Sequence, residues 1–238
     1  MSEQDNIYKV FSKITEKYDI MNDVMSLGFH RLWKKKLLEL IAINENYNYL
    51  DIATGSGDIA IGINRKLNEK FYNNSTITIL DSDSKMLEIA KKRLKNENCK
   101  LLKIINSSAT SIPLENESQD LVTISFGIRN VVDKESALNE MFRVLKKNGT
   151  LLCMEFSPKM NNDLADKFYT MYRRKIIPSI GKIVAGERDS YQYLSDSIEQ
   201  FPDSNKFKDL LKKSGFKFVD HKEIFSGICC IYIAKKYE

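Results

Sequence analysis

The sequence predicts an α/β protein whose mostly parallel, seven-stranded sheet ends in an antiparallel hairpin. From residue 49 onward, short apolar runs alternate with segments at helical spacing, which is typical of parallel strands covered by helices on both faces. Two further apolar runs close the chain, separated only by Ser226 and Gly227, and this spacing predicts a hairpin. The length of 238 residues fits one domain, 1–238.

The first 45 residues have helical rather than strand periodicity. Their apolar side chains form two stripes, and the segment between the stripes, 16–31, has no clear period. We therefore expect a helical region over 1–45 that precedes the sheet. The stripes are Ile7, Val10, Phe11 and Ile14, and then Trp33, Leu37, Leu38, Leu40 and Ile41.

The alternation of strands and helices predicts the order of the central elements. Helices are expected from the end of the first strand to about Leu67, over 84–97 and over 134–147, the last ending at Asn148-Gly149 as a helix C-terminus should. A helical insert at 160–200 and a helix near 205–214 follow. The predicted strands are 50–53, 76–80, 100–106, 120–126, 150–156, 216–225 and 227–236.

Composition narrows the function classes. The net charge is +5, and basic residues form short clusters at 34–36, 91–93, 173–175 and 212–213. The first interpretation of these clusters is that they are solvated faces of helices, and the second is contact with anionic lipid headgroups. Nucleic acid comes last, because no aromatic stripe accompanies them. Four cysteines without CxxC spacing and two distant histidines predict no metal site. No secretory signal or bilayer-length apolar run is visible, and free thiols suit the cytoplasm.

The stretch LDIATGSGDIA, 50–60, predicts a ligand site at the tip of the first strand. Gly55, Gly57 and Ala60 satisfy the dinucleotide pattern G-x-G-x-x-A, so an NAD-dependent oxidoreductase is one interpretation. Acids crowd the turn, however, and they would repel a pyrophosphate while favouring S-adenosylmethionine, which carries a sulfonium and an ammonium. These acids are Asp51, Asp58, Asp81 and Asp83; for Asp58 and Asp83 a helix N-cap or a solvated loop is an equal alternative.

Several longer segments carry a resemblance to a known family. They are YDIMNDVMSLGFHRLWK (18–34), LDIATGSGDIA (50–60), ISFGIRNV (124–131), RVLKKNG (143–149), MEFSP (154–158) and YQYLSDSIEQFP (191–202). With them the chain closely resembles the ubiquinone/menaquinone biosynthesis C-methyltransferases, over nearly its whole length. The resemblance implies the class I, Rossmann-like fold of methyltransferases that use S-adenosylmethionine.

The resemblance also implies which residues contact the cofactor. Asp81 would accept hydrogen bonds from the ribose hydroxyls, and Ser108 and Ala109 would lie beside the adenine. The other implied cofactor-binding residues are Asp51, Gly55, Ser56, Gly57 and Ser125. The turn departs from the family pattern in two places, since Thr54 stands where a glycine is usual and Ser56 where a threonine is usual.

The implied reaction moves a methyl group to a ring carbon of a polyprenylated quinol. Demethylmenaquinol is the first acceptor considered, and the 2-polyprenyl-6-methoxy-1,4-benzoquinol of ubiquinone biosynthesis is the second. Arg129 is expected to stabilise a phenolate oxygen and Asn130 to orient the ring or a water; alternatively, Arg129 only pairs with an acid such as Asp133. The family uses the N-terminal segment as a lid, so Tyr18 and Asp19 are predicted to line the site.

The insert offers an apolar set for the polyprenyl tail, although at helical spacing an ordinary core is the first interpretation. In the alternative, the insert rests on the inner membrane surface and the protein is peripheral. The set comprises Phe168, Tyr169, Met171, Tyr172, Ile176, Ile177, Ile180 and Ile183, beside Arg173, Arg174 and Lys175. The sequence is compatible with a homodimer and with a monomer. Besides a methyltransferase and an oxidoreductase, a third function class is a non-catalytic protein that retains the cofactor pocket.

Overall fold

The computed structural model describes residues 23, 26, 28–179 and 188–237, with only the backbone described at 188–190. Tyr18, Asp19, Ile180, Ile183 and the stripe at 7–14 therefore lie outside the described residues. The helices are α1 (His30–Glu39), α2 (Asp58–Glu69), α3 (Ser84–Asn96), α4 (Lys134–Val144), α5 (Asp163–Met171), α6 (Arg188–Gln200) and α7 (Ser204–Lys213). The strands are β1 (Asn48–Ile52), β2 (Thr76–Asp81), β3 (Leu102–Asn106), β4 (Gln119–Ser125), β5 (Leu145–Phe156), β6 (Phe218–Ile224) and β7 (Cys229–Lys235).

The strands form one seven-stranded sheet in the order β3-β2-β1-β4-β5-β7-β6, which confirms the predicted fold class. The five strands from β1 to β5 pair in parallel, and β7 runs antiparallel to both β5 and β6. The chain moves outward from β1 to β3 and then returns to β4 beside β1. This reversal of strand order leaves a crevice beyond the carboxyl ends of β1 and β4, which is where open α/β sheets bind ligands.

Two apolar clusters hold the helices on opposite faces of the sheet. On one face, Trp33 and Leu37 of α1 are fully enclosed and pack with α2, α3 and α6. On the other face, α4 and α7 bury Leu138 and Phe207 against β4, β5 and β7. The second predicted stripe is thus core-facing, because its residues cover strand side chains that would otherwise meet water.

The prediction that a helix extends to residue 147 is wrong. Helix α4 ends at Val144, and Leu145 already pairs with Gln119 as the first residue of β5. Asn148 adopts a left-handed φ of 64° and donates its backbone N–H to Lys236 O at 2.6 Å. Asn148-Gly149 is therefore a bend inside a long strand, because the backbone that would have continued the helix instead forms hydrogen bonds with neighbouring strands.

The C-terminal hairpin is confirmed, and the described parts of the insert are mostly helical. Phe225, Ser226 and Gly227 all have positive φ values in the turn between β6 and β7. In the insert, α5 continues into a π-helical turn at Tyr172–Ile176, and α6 follows the segment that is not described. None of the helices in the described ranges has the length and hydropathy that crossing a bilayer demands.

Candidate active site

The glycine turn lies at the carboxyl end of β1, in the crevice where strand order reverses. Ala53, Gly55 and Gly57 have φ values of 49°, 54° and 87°, so the chain leaves the strand through three left-handed residues. A Cβ at Gly57 would stand 3.1 Å from the Ala90 Cβ of α3. Glycine is thus needed at residue 57 for its conformation and for the close packing of α3 against the turn.

A second tight loop follows β4 and contacts the first. Phe126 has a φ of 55°, and a Cβ on Gly127 would lie only 2.5 Å from the Ala53 Cβ. Only glycine allows this approach, which brings the 3₁₀ turn Ile128–Asn130 to the edge of the glycine turn. Left-handed non-glycine residues at both strand ends are the kind of backbone strain that collects at functional sites.

Asp51 lies beneath the glycine turn rather than on its surface. Its side chain is buried, and its two carboxylate oxygens accept hydrogen bonds from the hydroxyls of Thr54 at 2.6 Å and Thr123 at 2.7 Å. Burial raises the pKa of Asp51 to about 6, against the opposing effect of the two hydroxyls. Near neutral pH the buried carboxylate places negative potential under the crevice.

Asp81 ends β2 and is tied to the turn. Its carboxylate accepts the backbone N–H of Gly55 at 2.9 Å and that of Asp83 at 3.0 Å, while burial raises its pKa. Each oxygen keeps a further lone pair for a donor in the crevice. Asp83 is the N-cap of α3, accepting the Lys85 N–H at 2.8 Å, as the alternative interpretation of this acid predicted.

Asp58 does not contribute an uncompensated charge, so the part of the charge argument that rested on it is wrong. Lys34 Nζ lies 2.7 Å from Asp58 Oδ2, and Arg93 Nη2 lies 2.8 Å from Oδ1. Burial alone would raise the pKa of Asp58, but the two cations outweigh it and hold the pKa at about 2. Arg93 also donates to Ser56 O at 2.6 Å, so this group fastens α1 and α3 to the glycine turn.

The remaining predicted cofactor residues converge on the same edge. Ser56 is buried in the turn, and Ala109 is buried in the loop after β3. A hydrogen bond from the Ser107 N–H to Asp81 O, at 3.1 Å, holds this loop against the end of β2. Ser108 Oγ is 2.8 Å from Thr110 Oγ1. The Oγ of Ser125, at the end of β4, is buried and finds no hydrogen-bond partner among the described residues.

Arg129 is enclosed and forms a buried ion pair with Glu155. The exposed fractions of the two side chains are 1% and 0%, and Arg129 Nη1 lies 2.8 Å from Glu155 Oε1. Nη1 also donates to Phe126 O at 2.6 Å, while Nε has no partner within the described part of the chain. Arg129 thus pairs with an acid, as the alternative interpretation held, but the acid is Glu155 and not Asp133, which caps α4 by accepting the Ser136 N–H at 2.9 Å.

Asn130 and His30 join the site to neighbouring helices. Tyr193 of α6 donates its hydroxyl to Asn130 Oδ1 at 3.4 Å, so the lip of the crevice contacts the insert. His30 is buried at the start of α1, with Nδ1 3.0 Å from Ser26 Oγ and 3.5 Å from Asp23 Oδ1, and burial lowers its pKa. These contacts give His30 a structural role at the start of α1.

The hydrogen bonds of the turn decide between phosphate and sulfonium ligands. Gly55 N–H is taken by Asp81, and Gly57 N–H by Thr54 O at 2.9 Å, so neither glycine offers its donor to a phosphate. Asp51 beneath the turn and Asp81 at its edge place negative charge close to the crevice, and the Ser125 hydroxyl has no hydrogen-bond partner among the described residues. A cation that also carries hydroxyl groups fits this set, as S-adenosylmethionine does.

Comparison with known proteins places the chain in a family. The model of the ubiE/COQ5 methyltransferase family matches residues 1–236. The chain belongs to this family. It is 42% identical, over 98% of its length and 93% of the relative's, to "Ubiquinone/menaquinone biosynthesis C-methyltransferase UbiE" of Rickettsia bellii. The corresponding protein of Rickettsia prowazekii is 43% identical over 97% of this chain and 92% of its own.

Solved structures support the fold. A SAM-dependent methyltransferase from Thermotoga maritima superposes with a TM-score of 0.66 at 18% identity, covering 97% of this chain and 99% of its own. The family assignment and the crevice together make this chain a C-methyltransferase that uses S-adenosylmethionine. Nothing in the comparisons supports the NAD-dependent oxidoreductase.

Affinity for S-adenosylmethionine is expected to fall as the pH drops through about 6, because Asp51 then loses the charge that attracts the sulfonium. The raised pKa also links Asp51 to the free energy of unfolding, because the folded state binds its proton more tightly than the unfolded state does. This stabilisation is fully present below the unfolded-state pKa and is lost as the pH rises through about 6. Calorimetric Kd values across this range check the first statement. A flat profile in the wild type, or the same slope in Asp51→Asn, would contradict it.

Proposed function

We propose that this chain methylates a ring carbon of a polyprenylated quinol and that demethylmenaquinol, which becomes menaquinol, is its preferred acceptor. The observation that carries the proposal is the match, over nearly the whole chain, to relatives named as C-methyltransferases of ubiquinone and menaquinone biosynthesis. The buried arginine beside the glycine turn supports it, since a quinol ring carbon becomes nucleophilic only when its neighbouring oxygen carries negative charge.

Different residues of the crevice would contact different parts of the cofactor. Asp81 would accept the ribose hydroxyls, Ser108 and Ala109 would flank the adenine, and the turn Gly55–Gly57 with Ser56 would lie against the amino acid part. Ser125 would offer its hydroxyl, which has no partner in the described part of the chain, and Asp51 would stabilise the cation from below. When bound, S-adenosylmethionine supplies an electrophilic methyl group on its sulfonium.

Arg129 is the residue that we assign to the acceptor oxygen. Glu155 fixes its guanidinium through Nη1, and Nε, which has no partner among the described residues, is a donor available to a phenolate. Asn130, whose Oδ1 is held by Tyr193, has its amide N–H groups to orient the ring or a water that takes the proton. In the transfer, the methyl group would pass to the ring carbon, the electron pair of the broken methyl–sulfur bond would stay on sulfur, and the proton of the methylated ring carbon would leave to water. For Tyr18 and Asp19, which lie outside the described residues, the proposal keeps the role that the family resemblance implies.

A competition assay tests the acceptor. Short-tailed demethylmenaquinol and the corresponding methoxybenzoquinol, both kept reduced under anaerobic conditions, are supplied with S-adenosylmethionine, and kcat/KM is measured for each. We expect the higher kcat/KM for demethylmenaquinol. The reverse order would overturn the acceptor preference, and methylation of neither compound would overturn the proposed function.

The apolar tail of the acceptor motivates a proposed membrane contact by α5. Leu164, Phe168 and Met171 lie on one stripe of this helix, with exposed fractions of 66%, 61% and 46%, whereas Tyr169 and Ile177 belong to the core. Exposed Lys167 and Lys175 lie beside the stripe. An apolar stripe flanked by lysines is complementary to an anionic lipid surface, where a polyprenylated substrate resides.

Phe168→Glu is expected to abolish flotation of the protein with vesicles of phosphatidylcholine and phosphatidylglycerol, because a carboxylate would enter the apolar interface. Phe71→Glu is the matched control, since Phe71 is 82% exposed but lies between α2 and β2, away from the stripe. Vesicles of phosphatidylcholine alone should bind the wild type less well. Equal flotation of the wild type and Phe168→Glu, or no flotation of either, would contradict the contact.

A further inference from the structure

Arg173 is a buried cation whose charge is poorly compensated. It lies in the π-helical turn after α5 with an exposed fraction of 2%, and its Nε and Nη1 have no hydrogen-bond partner within the described ranges. The acid near it, Glu199, is 3.8 Å from Nη2, beyond hydrogen-bond distance, and is bonded more closely to Arg174. A guanidinium buried in this way costs stability unless a ligand pairs with it.

Further unpartnered donors lie on the helix that faces Arg173. Tyr191 and Ser195 are fully buried, and their hydroxyls have no partner among the residues described. Both precede Glu199 at four-residue steps, so the three share the stripe of α6 whose end approaches Arg173. Helix α6 packs against the π-helical turn and also against the 3₁₀ turn that carries Arg129.

The charges of Arg173 and Arg129 both act on Tyr169. The Arg173 guanidinium is 5.5 Å from the ring centroid of Tyr169. The charges of Arg173 and Arg129 both act to lower the pKa of Tyr169, against the larger, opposite effect of burial. Helix α6 therefore connects the two turns that carry these arginines, and the arginine nitrogens without a partner among the described residues are donors that an oxygen acceptor would satisfy.

We infer that Arg173, with Tyr191 and Ser195, binds an oxygen of the acceptor ring, so that a second guanidinium besides Arg129 holds the quinol. The inference rests on the proposed function, because a quinol ring carries two oxygens that need donors. Such a contact would be made in binding and strengthened as negative charge develops on the ring. A π-helical turn at this point agrees with a functional role, since such turns are frequent at functional sites.

The test compares Arg173→Met with Arg174→Met. The two arginines are neighbours on the same turn, but Arg174 is exposed and pairs with Glu199 at the surface. With a short-tailed, water-soluble demethylmenaquinol, Arg173→Met should lower kcat/KM by roughly 10- to 100-fold, the usual effect of losing hydrogen bonds to a charged group. Arg174→Met should stay close to the wild type, and the Kd of S-adenosylhomocysteine should change in neither variant.

Thermal stability distinguishes a ligand-binding arginine from a structural one. Because methionine removes a poorly compensated buried charge, Arg173→Met should melt at or above the Tm of the wild type while losing quinol turnover. A lower Tm together with weaker S-adenosylhomocysteine binding would overturn the inference in favour of a structural role. A kcat/KM equal to that of Arg174→Met would also overturn it.

Tyr191→Phe and Ser195→Ala give a second measurement that does not depend on the Arg173 variant folding. Each removes one hydroxyl, and each should lower kcat/KM several-fold without lowering the Tm. Unchanged kinetics in both would overturn the inference. If the wild type methylates the quinol while all these variants match it, only the role of Arg173 fails; if the wild type leaves the quinol unmethylated, the proposed function fails as well.

Discussion

Glu155→Leu is expected to lower the free energy of unfolding by about 3–5 kcal/mol, because it leaves the Arg129 guanidinium buried without its counter-ion. The same carboxylate accepts the backbone N–H groups of Arg129 and Phe156, so the turn after β4 would lose its anchor as well. Denaturant unfolding of the purified variant measures the loss. Turnover should fall too, since Arg129 would no longer be oriented.

A double-mutant cycle separates the pair from general damage to the core. Arg129→Met combined with Glu155→Leu should be more stable than either single variant, because no uncompensated charge remains. Glu97→Leu is a surface control that removes the partner of Arg65 at an exposed position and should change stability far less. Additive single effects, or a Glu155→Leu protein as stable as the wild type, would contradict the buried pair.

Asp81→Ala is expected to weaken S-adenosylhomocysteine binding by roughly 100-fold or more, since two charge-assisted hydrogen bonds to the ribose would be lost together. The Gly55 N–H would also lose its acceptor, which loosens the glycine turn. Isothermal titration calorimetry gives the Kd directly.

Asp83→Ala is the matched control for Asp81→Ala. The residue lies two positions further along and caps α3, so its loss should cost about 1 kcal/mol of stability and leave the cofactor Kd nearly unchanged. If both variants bind S-adenosylhomocysteine like the wild type, Asp81 does not hold the ribose.

The glycine turn could be predicted from the sequence because its determinants are local. The turn is determined by an apolar run, two glycines one residue apart and an acid at the end of the next strand. These residues all lie within a short stretch of the sequence. The turn needs a residue with a positive φ at Gly57, and glycine provides it without help from distant residues. The fold class followed for the same reason, since the alternation of strand and helix is repeated along the chain.

The electrostatic partners could not be predicted because they come from distant parts of the chain. Asp58 appeared as a free acid in the sequence, yet Lys34 and Arg93 from two other helices neutralise it. Glu155 lies inside an apolar strand run, where nothing local distinguishes it from a residue at the sheet surface. The predicted end of α4 is wrong for a related reason, because pairing of Leu145 with Gln119 on a neighbouring strand overrides a local glycine signal.

The central claim, methyl transfer from S-adenosylmethionine to a quinol ring carbon, is tested most directly with a labelled methyl group. The wild-type protein is incubated anaerobically with S-adenosylmethionine bearing a ¹³C-methyl group and with short-tailed demethylmenaquinol, and the extracted product is examined by NMR. The account predicts a ¹³C signal of a methyl group bonded to a ring carbon. A signal of a methyl group on oxygen, or no labelled quinol at all, would contradict it.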